Sequence, residues 1–506
     1  MKVFASIYIG SYEIILKVFE VSKNKQVKEI DCLRTWCDIS KDISATGSIS
    51  NETLNKLLNI LKDMKQTIKT YKCNQYEVYG GYVFGGANNI RVILDQISLH
   101  VNLNITLLSN SEQRFLSYLA LASTPEFERI ISESALVVDI GGSSIQITLF
   151  EKGNIVTTEH ILLGAITIRD HLARLKDKKD ANSLISEIIK KEFSTFSNIY
   201  LKDMKLKYLV LINDQIHNVA NKLPTKSKDH VISKDEYATV INKLKKKQIY
   251  SVISETFDFE TEDEMLMPFI LLYQNLIDII KTEQIMIPGV SVSEGIAYKY
   301  AYDTKVLKAV HDFDEDILSA SWEIAKRYDS YLPHLKALES ISMEIFDAVK
   351  KEHKLTPRDR LLMRVICILH DCGKYISISA ANDCSYTIIM SSEILGLTHK
   401  ERLLIASVVS TNRGNELSYE EMAGEFSPQD YMKYLKFLAI LRVSNALDRS
   451  HKQKLSNIKI TLKEDSLMIA LEAKDSIALE KGLFDTKATF FEEVFAIRPK
   501  IYERRK

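Results

Sequence analysis

Short apolar runs with strand-like character alternate with amphipathic, helix-like segments through about the first 300 residues of the chain. "VFASIYIG" and "EIILKVFEV" predict two strands around Gly10 and Ser11, and residues 51–70 carry leucines at a spacing that predicts a helix. "ALVVDI" and "IQITLF" predict a second strand pair, joined at Gly141 and Gly142. "YEVYGGYVF" and "KYLVLIND" each predict a further strand. This alternation indicates an α/β fold.

The pattern changes after about residue 305, where helical segments follow one another without strand-like runs between them. The helical periodicity covers residues 315–350, 357–375, 384–397, 399–412 and 428–450. "NIKITLKEDSLMIALEA" then predicts a hairpin and "ATFFEEVFAI" a last helix, and we interpret the basic end "RPKIYERRK" as a solvated terminus. We therefore expect two α/β lobes at 1–130 and 131–304, a helical domain at 305–452 and a small α+β segment at 453–506.

Charge and cysteine content restrict the expected partners and location. The chain of 506 residues has 67 Lys and Arg and 67 Asp and Glu, so no overall field attracts nucleic acid or an acidic membrane. No uncharged apolar run is long enough to span a bilayer. The six cysteines are scattered and form no C-x-x-C pair, which favours a reducing compartment. We expect a cytoplasmic protein without nucleic-acid or membrane partners.

The two strand pairs share a connection that contains glycine and serine, about 130 residues apart, which suggests an internal duplication. Glycine lets the backbone approach a phosphate closely, and backbone N–H groups and a serine hydroxyl can then bind the anion. Two such loops facing each other would hold a phosphoanhydride, and Asp139 beside the second loop could bind a divalent metal or orient a water molecule. A simple hairpin turn with a buried aspartate is the alternative.

The order of several motifs resembles that of the exopolyphosphatase and guanosine pentaphosphate phosphatase family over nearly the whole chain. "DIGGSSIQ" at 139–146 is similar to the family's D-I-G-G-G-S-T-E, "IYIGSYE" at 7–13 to I-D-x-G-S-N-S, and "SNSEQRF" at 109–115 to S-G-x-E-E-A-R. "LLGAITIRDHL", "VSEGIAYKY" and "ILHDCGKYI" follow in the family's order. The resemblance implies two ribonuclease-H-like lobes of the actin, sugar kinase and heat-shock ATPase type, then a helical HD-like domain.

The resemblance also implies a reaction and a site. Water would attack the terminal phosphorus of polyphosphate or guanosine pentaphosphate in a cleft between the lobes, with Mg²⁺ or Mn²⁺ as cofactor, in a protein expected to be a homodimer. The implied phosphate-binding residues are Gly10, Ser11, Gly141, Gly142, Ser143 and Ser144. The implied catalytic positions are Glu112, Gln113, Asp139 and Gln146, with Asp139 also a metal ligand.

Some positions that are charged in the family are uncharged here. The aspartate of the first loop is Tyr8, an arginine of the A-T-S-A-x-R segment aligns with Gly85, and two glutamates are Gln113 and Gln146. An amide cannot take a proton from water at neutral pH, and general base catalysis contributes ~10²–10⁴-fold. Glu112 is the neighbouring carboxylate, although adjacent helical residues point about 100° apart. Two functions stay open: a hydrolase of reduced activity, or a catalytically impaired regulatory protein that binds polyphosphate or an alarmone.

A possible metal site lies in the helical region and resembles that of HD-type proteins, which use a histidine, a His-Asp pair and a later aspartate. His334, His370 and Asp371 match the first three ligands, whereas the later aspartate aligns with Asn445 and Asp448 is retained nearby. The alternative is that His334 is a packed histidine and that His370 and Asp371 form a hydrogen-bonded pair.

Overall fold

The computed structural model of the chain describes residues 2–22, 26–174, 181–202, 204–212, 231–233, 235–236, 239, 259–463 and 466–503. The chain forms two compact units, Met1–Asp312 and Phe313–Lys506. Within the described residues, no helix is long and apolar enough to cross a membrane.

The first unit begins with a mixed sheet in the order β3-β2-β1-β4-β5. Its strands are β1 Lys2–Ile9, β2 Glu13–Ser22, β3 Gln26–Trp36, β4 Gln75–Gly80 and β5 Thr106–Leu107. β1, β2 and β3 are antiparallel, whereas β4 is parallel to β1 and β5 is parallel to β4. Ile9 pairs with Ile14, so the predicted connection at Gly10 and Ser11 is a hairpin turn at the end of β1.

Helices cover this sheet and continue the chain between its strands. They are α1 Ile39–Thr46, α2 Asn51–Thr70, α3 Tyr82–Gly85, α4 Ile90–Val101, α5 Asn110–Ala122 and α6 Phe127–Ile131. α2 confirms the predicted helix, since Leu57 and Leu61 are fully buried in the core. The prediction that "YEVYGGYVF" is one strand was wrong beyond Gly80, because the chain turns back there and a Cβ on Gly80 would lie only 2.5 Å from the ring of Phe84.

A second mixed sheet of the first unit has the order β10-β11-β9-β6-β7-β8. Its strands are β6 Ser134–Ile140, β7 Ile145–Glu151, β8 Asn154–Ile161, β9 Leu206–Ile212, β10 Val231–Ser233 and β11 Thr282–Met286. β6, β7 and β8 are antiparallel, and β9 and β11 add in parallel. The order β8-β7-β6-β9-β11 thus repeats that of the first sheet. This repeated arrangement is the ribonuclease-H-like topology, so the α/β fold prediction is confirmed.

The helices of the second lobe include one that packs tightly on the first lobe. They are α7 Ala165–Arg174, α8 Ala181–Phe196, α9 Phe259–Ile279 and α10 Val292–Asp303, with a π-helical turn, Ser197–Leu201, after α8. A Cβ on Gly295 of α10 would lie 1.9 Å from the carbonyl oxygen of Leu116 in α5. Only glycine fits at that distance, so the two helix backbones are in direct contact.

The second unit is mainly helical and ends in a small sheet. Its helices are α11 Phe313–Arg327, α12 Leu332–Val349, α13 Pro357–Leu369, α14 Ala381–Ser391, α15 His399–Ser410, α16 Tyr419–Met422, α17 Pro428–Leu447 and α18 Ala478–Phe495. A 3₁₀ turn, Cys372–Tyr375, follows α13. The sheet has the order β12-β13-β14, with strands β12 Leu455–Lys463, β13 Ser466–Ala473 and β14 Arg498–Glu503.

Two sequence predictions for the second unit need correction. The segment 315–350 is not one helix, because the chain turns at Asp329, whose φ of 43° is left-handed, and a new helix begins beside Pro333. The basic end is not simply solvated, because Arg498–Glu503 pairs in parallel with β13 and Pro499 is buried. Pairing of this kind depends on a partner strand that short-range patterns do not reveal.

Candidate functional site

The two predicted glycine loops face each other at the ends of the two strand pairs. A Cβ on Gly142 would lie 2.7 Å from Oγ of Ser11, so the loops are in close contact across the lobes. Together they line a cavity of about 110 Å³. Gly10, Ser11, Gly141 and Gly142 all line it. Both connections are hairpin turns as well as walls of the cleft, so the two sequence interpretations are compatible.

In the second loop, at Gly141 and Gly142, the backbone carbonyl groups accept hydrogen bonds from the protein. The carbonyl oxygens of Gly141 and Gly142 accept hydrogen bonds from the N–H groups of Ala165 (3.1 Å) and Ile166 (2.7 Å) at the start of α7. Among the described residues, the structure records no hydrogen-bond acceptor for the N–H groups of residues 142–144. Of these three residues, Gly142 lines the cavity, whereas Ser143 and Ser144 do not, and the nitrogen of Ser144 lies beside Gly164. The N–H of Gly142 is therefore the backbone donor of this loop that is placed to meet an anion.

Arg114 of α5 reaches across the lobes to this loop. Its side chain is 3% exposed, and its Nη1 lies 3.0 Å from Oδ1 of Asp139 and donates to the carbonyl oxygen of Asp139 at 3.3 Å. Its Nη2 donates to the carbonyl oxygen (3.0 Å) and the hydroxyl (2.8 Å) of Ser144. Arg114 also lines the cavity, where the guanidinium lies against Gly141. The sequence motifs alone do not indicate a role for Arg114, because its partners lie 25 and 30 residues away in the chain.

Glu112 has a defined structural partner at the start of α5. Its carboxylate accepts hydrogen bonds from the N–H (2.9 Å) and the hydroxyl (2.6 Å) of Ser109, which form a capping box. The same arrangement opens α10, where Glu294 accepts from Ser291. Glu112 does not line the cleft cavity described above. The carboxylate is therefore committed to the helix start.

The two glutamines take different positions. Gln113 lines the cavity, and its Oε1 accepts a hydrogen bond from the N–H of Tyr82 at 3.0 Å. Gln146 pairs with Asp139 in the β6–β7 ladder and is 5% exposed, and its Oε1 has no hydrogen-bond partner among the described residues. Gln113 thus faces the cleft, whereas Gln146 is buried in the sheet beside it.

Tyr8 occupies the cleft where the related motif has an aspartate. It lines the cavity, and its hydroxyl would lie 2.5 Å from a Cβ on Gly81. Burial raises the pKa of the Tyr8 phenol well above its usual range, with nearby Arg114 opposing this effect. Tyr8 is therefore a neutral group. Gly85 packs against Leu107 and does not line this cavity.

The carboxylates of the cavity wall do not fit a divalent cation. Asp139 is paired with Arg114, and Glu13 lies 3.3 Å from Nη1 of Arg34. Within the described ranges, no three potential ligand atoms of His, Cys, Asp or Glu converge at this cleft. Mg²⁺ is usually held by one or two carboxylates together with water and substrate phosphate, but both carboxylates of this wall are already paired with arginines. The residues of this cleft therefore do not offer a divalent cation a ready set of ligands.

A group that could hold a metal lies in the second unit. Ligand atoms of His334, Asp371 and His451 are all within 4.8 Å of one another. Nδ1 of His334 lies 2.7 Å from Oδ2 of Asp448, whereas its Nε2 is buried without a hydrogen-bond partner in the described structure. The ring of His451 stacks on that of His334 at 3.6 Å. His451 was missed in the sequence because it follows the helix and has no counterpart in the HD pattern.

His370 lies beside this group, with its ring centre 5.1 Å from that of His334. Its Nδ1 is 3.0 Å from the carbonyl oxygen of Cys367, and its Nε2 is 3.4 Å from Oδ2 of Asp371 without forming a hydrogen bond. Burial lowers the pKa of His370 to about 4, so the imidazole is neutral at pH 7. Asp371 also contacts Lys374 and, at 3.2 Å, Arg413, so two cations compete for it.

The two ribonuclease-H-like sheets, with a glycine loop from each meeting at one cleft, define a two-lobed fold of the actin-like class. Comparison with known proteins names the family. The model of the Ppx/GppA phosphatase family matches residues 22–303, and that of Ppx/GppA phosphatase, domain III, matches residues 320–487. The chain belongs to the Ppx/GppA phosphatase family.

Individual relatives are distant. A guanosine-5'-triphosphate,3'-diphosphate pyrophosphatase of Photobacterium profundum is 18% identical over 444 residues, which cover 86% of this chain and 85% of the relative. A crystal structure of the Aquifex aeolicus member of the Ppx/GppA family is 16% identical and covers 62% of this chain and 99% of its own, with a TM-score of 0.49. An exopolyphosphatase of Cytophaga hutchinsonii is 16% identical and covers 61% of this chain and 100% of its own, also with a TM-score of 0.49.

Proposed function

We propose that the cleft binds the terminal phosphate of polyphosphate or guanosine pentaphosphate and hydrolyses it at a much reduced rate. One observation carries the proposal: the two glycine loops, through Ser11 and Gly142, line one cavity, and the carboxylates that also line it, Asp139 and Glu13, are both paired with arginines. The N–H of Gly142 and the Ser11 hydroxyl would hold the phosphate oxygens. Family membership supports the class of substrate.

The reduced rate follows from the groups around the attacking water. Gln113 lines the cavity but is an amide, and Tyr8 is a neutral phenol there. Asp139 is paired with Arg114. Without a general base, a loss of ~10²–10⁴-fold in turnover is expected, while binding is retained.

A second candidate function is favoured by the position of Glu112. Because its carboxylate is held by Ser109 at the start of α5, it does not replace the missing base. A protein that binds polyphosphate or guanosine pentaphosphate without turnover could act as a regulator.

Phosphate release and binding measured on the same samples would distinguish these functions. We would measure phosphate released from polyphosphate and from guanosine pentaphosphate with Mg²⁺ present, and binding of each by calorimetry, for the wild type and for Gln113→Glu. The exposed Gln66→Glu on α2 is a matched control that adds the same charge outside the cleft.

We expect micromolar binding, slow release by the wild type, and a gain of at least about tenfold for Gln113→Glu alone, because a carboxylate there restores a base. Binding without any release in either protein would support the regulatory function instead. Absence of binding to both substrates would refute the proposal.

We also propose that His334, Asp371 and His451 hold a metal ion in the second unit. The buried Nε2 of His334, oriented by the contact of Nδ1 with Asp448, supports this proposal, because metal-binding histidines are usually oriented in this way. Two imidazoles and one carboxylate suit Zn²⁺. A bound ion would have to displace the Lys374 ammonium from Asp371.

Metal analysis after dialysis against Zn²⁺ would test this site. We expect one Zn²⁺ per chain for the wild type and for the exposed control His399→Gln, and loss of that Zn²⁺ for His451→Gln. Equal Zn²⁺ content in all three proteins would show that the cluster is a structural group of hydrogen-bonded and stacked residues.

We propose a cytoplasmic location, which the thiols of the chain support. All six cysteines are free, and free buried thiols such as Cys367 are typical of a reducing compartment.

A further inference from the structure

The guanidinium of Arg114 has the surroundings of a bound cation. It is almost fully buried and is surrounded by oxygen atoms of the second lobe: the carbonyl and carboxylate of Asp139 and the carbonyl and hydroxyl of Ser144. The four distances lie between 2.8 and 3.3 Å. Carboxylate, carbonyl and hydroxyl oxygens are also the ligands that hard divalent cations prefer.

These contacts fix the loop that lines the cavity through Gly141 and Gly142. Asp139 precedes this loop and Ser144 ends it, so Arg114 binds both of its ends. A fixed loop keeps Gly141 and Gly142 at the cavity wall without help from a ligand or metal. In the related motif S-G-x-E-E-A-R the arginine stands one position later, where this chain has Phe115.

The charge of Asp139 is also neutralised by this contact. Its side chain is 15% exposed beside the cavity, where an unpaired carboxylate would repel a polyphosphate chain. The cation that compensates it is part of the protein, and unlike Mg²⁺ an arginine cannot dissociate or lose its charge at any ordinary pH.

We propose that Arg114 is a built-in cation that takes the place of a divalent metal at Asp139, so that the cleft binds phosphate chains without metal. Arg114 is thus a positioning residue for the phosphate-binding loop. The inference rests on the proposed function for the nature of the ligand.

The first measurement is the dissociation constant of the wild type for tripolyphosphate, by calorimetry, in EDTA and in Mg²⁺. We expect the two values to agree within about threefold. Binding that appears only with Mg²⁺ would overturn this inference and leave the proposed function intact. Absence of binding in both buffers would instead refute the proposed function.

The second measurement uses Arg114→Ala, which exposes Asp139 to the cavity. In EDTA we expect at least a tenfold weaker affinity for tripolyphosphate, with recovery in Mn²⁺, since the oxygens released by the arginine can then bind the metal. Arg169→Ala is the matched control. Arg169 also forms an ion pair between the lobes, with Asp38 at 2.7 Å, but neither residue lines the cavity. This control should keep wild-type affinity in EDTA.

A direct readout is the number of Mn²⁺ ions bound per chain without phosphate, counted by electron paramagnetic resonance. Arg114→Ala should bind one more Mn²⁺ than the wild type, and Arg114→Ala with Asp139→Asn should lose it again. The double variant removes both charges, so it serves as the folded comparison if the single variant unfolds. An equal Mn²⁺ count in wild type and Arg114→Ala, or an unchanged count when Asp139 is also replaced, would overturn the inference.

Discussion

Replacement of Gly295 by alanine tests the direct contact between α5 and α10. The new Cβ would lie 1.9 Å from the carbonyl oxygen of Leu116, and ordinary contacts begin at 3.4 Å, so the helices must separate by about 1.5 Å. Overpacking of this kind lowers the free energy of unfolding by about 1–3 kcal/mol, and by more where backbone atoms collide. In the opposite direction, alanine in place of glycine within a helix raises it by about 0.5–1 kcal/mol. We expect a net loss of about 2 kcal/mol in the free energy of unfolding of the first unit.

The same change should weaken phosphate binding, because α5 carries Arg114 and would move with it. The chain has two tryptophans, Trp36 and Trp322. In a Trp322→Phe background, urea unfolding can be followed by Trp36, which packs against the core of the second lobe and lies 5.5 Å from the ring of Tyr12.

Gly482→Ala is the control for this experiment. It lies within α18 and a Cβ there meets nothing within 4 Å, so the helix should gain about 0.5–1 kcal/mol. This gain in the free energy of unfolding applies to the second unit, and we would measure it by following urea unfolding of the otherwise unchanged chain with circular dichroism. If Gly295→Ala were also neutral or stabilising, the described contact between α5 and α10 would be wrong.

Further predictions concern the helix caps and the last strand. Asp359 is buried, caps α13 through Thr356 and pairs with Lys433; burial alone would raise its pKa, but these partners lower it below the ordinary 3.8. Its stabilising contribution is therefore present above about pH 4 and lost as the pH falls through the folded-state pKa, so Asp359→Asn should cost about 1–3 kcal/mol at pH 7 and less at pH 3 by urea unfolding. The exposed Asp383→Asn in the first turn of α14 should show neither effect. Glu112→Gln retains a capping oxygen and should leave both thermal stability and phosphate release nearly unchanged, whereas a hundredfold loss of release would make Glu112 the base. Removal of residues 498–506 exposes the edge of β13 and should lower the unfolding temperature of the second unit by several degrees in calorimetry; an unchanged temperature would show that β14 contributes no stability.

The fold was largely predictable from local patterns. The hairpin around Gly10, the helix at 51–70 and the strand pair around Gly141 are all present, because each depends on periodic burial along a short segment. The last strand was not predictable, since its partner β13 lies 25 or more residues earlier in the chain. Sequence patterns describe one segment at a time, whereas strand pairing depends on which segments meet.

The site was predictable only in outline. Ser11 and Gly142 lie close together because the two sheets repeat the same strand order. Two similar glycine-containing connections in the sequence already indicated this repeat. The contacts of Arg114 and the proximity of His451 to His334 could not be predicted, because each joins residues that are distant in the chain. In both cases the contact depends on how two separate elements pack together, which the sequence pattern of each element does not reveal.

The ion pairs between the lobes have a consequence for motion. Arg114 with Asp139 and Arg169 with Asp38 connect the two lobes at separate points, and each pair is largely buried. A hinge movement that opens the cleft must break at least one of these ion pairs. Opening should therefore be rarer and slower than in a two-lobed protein whose lobes are connected only by the polypeptide chain. Exchange of phosphate chains is then expected to be limited by this opening, and added salt should accelerate release only weakly, because buried charges are poorly screened.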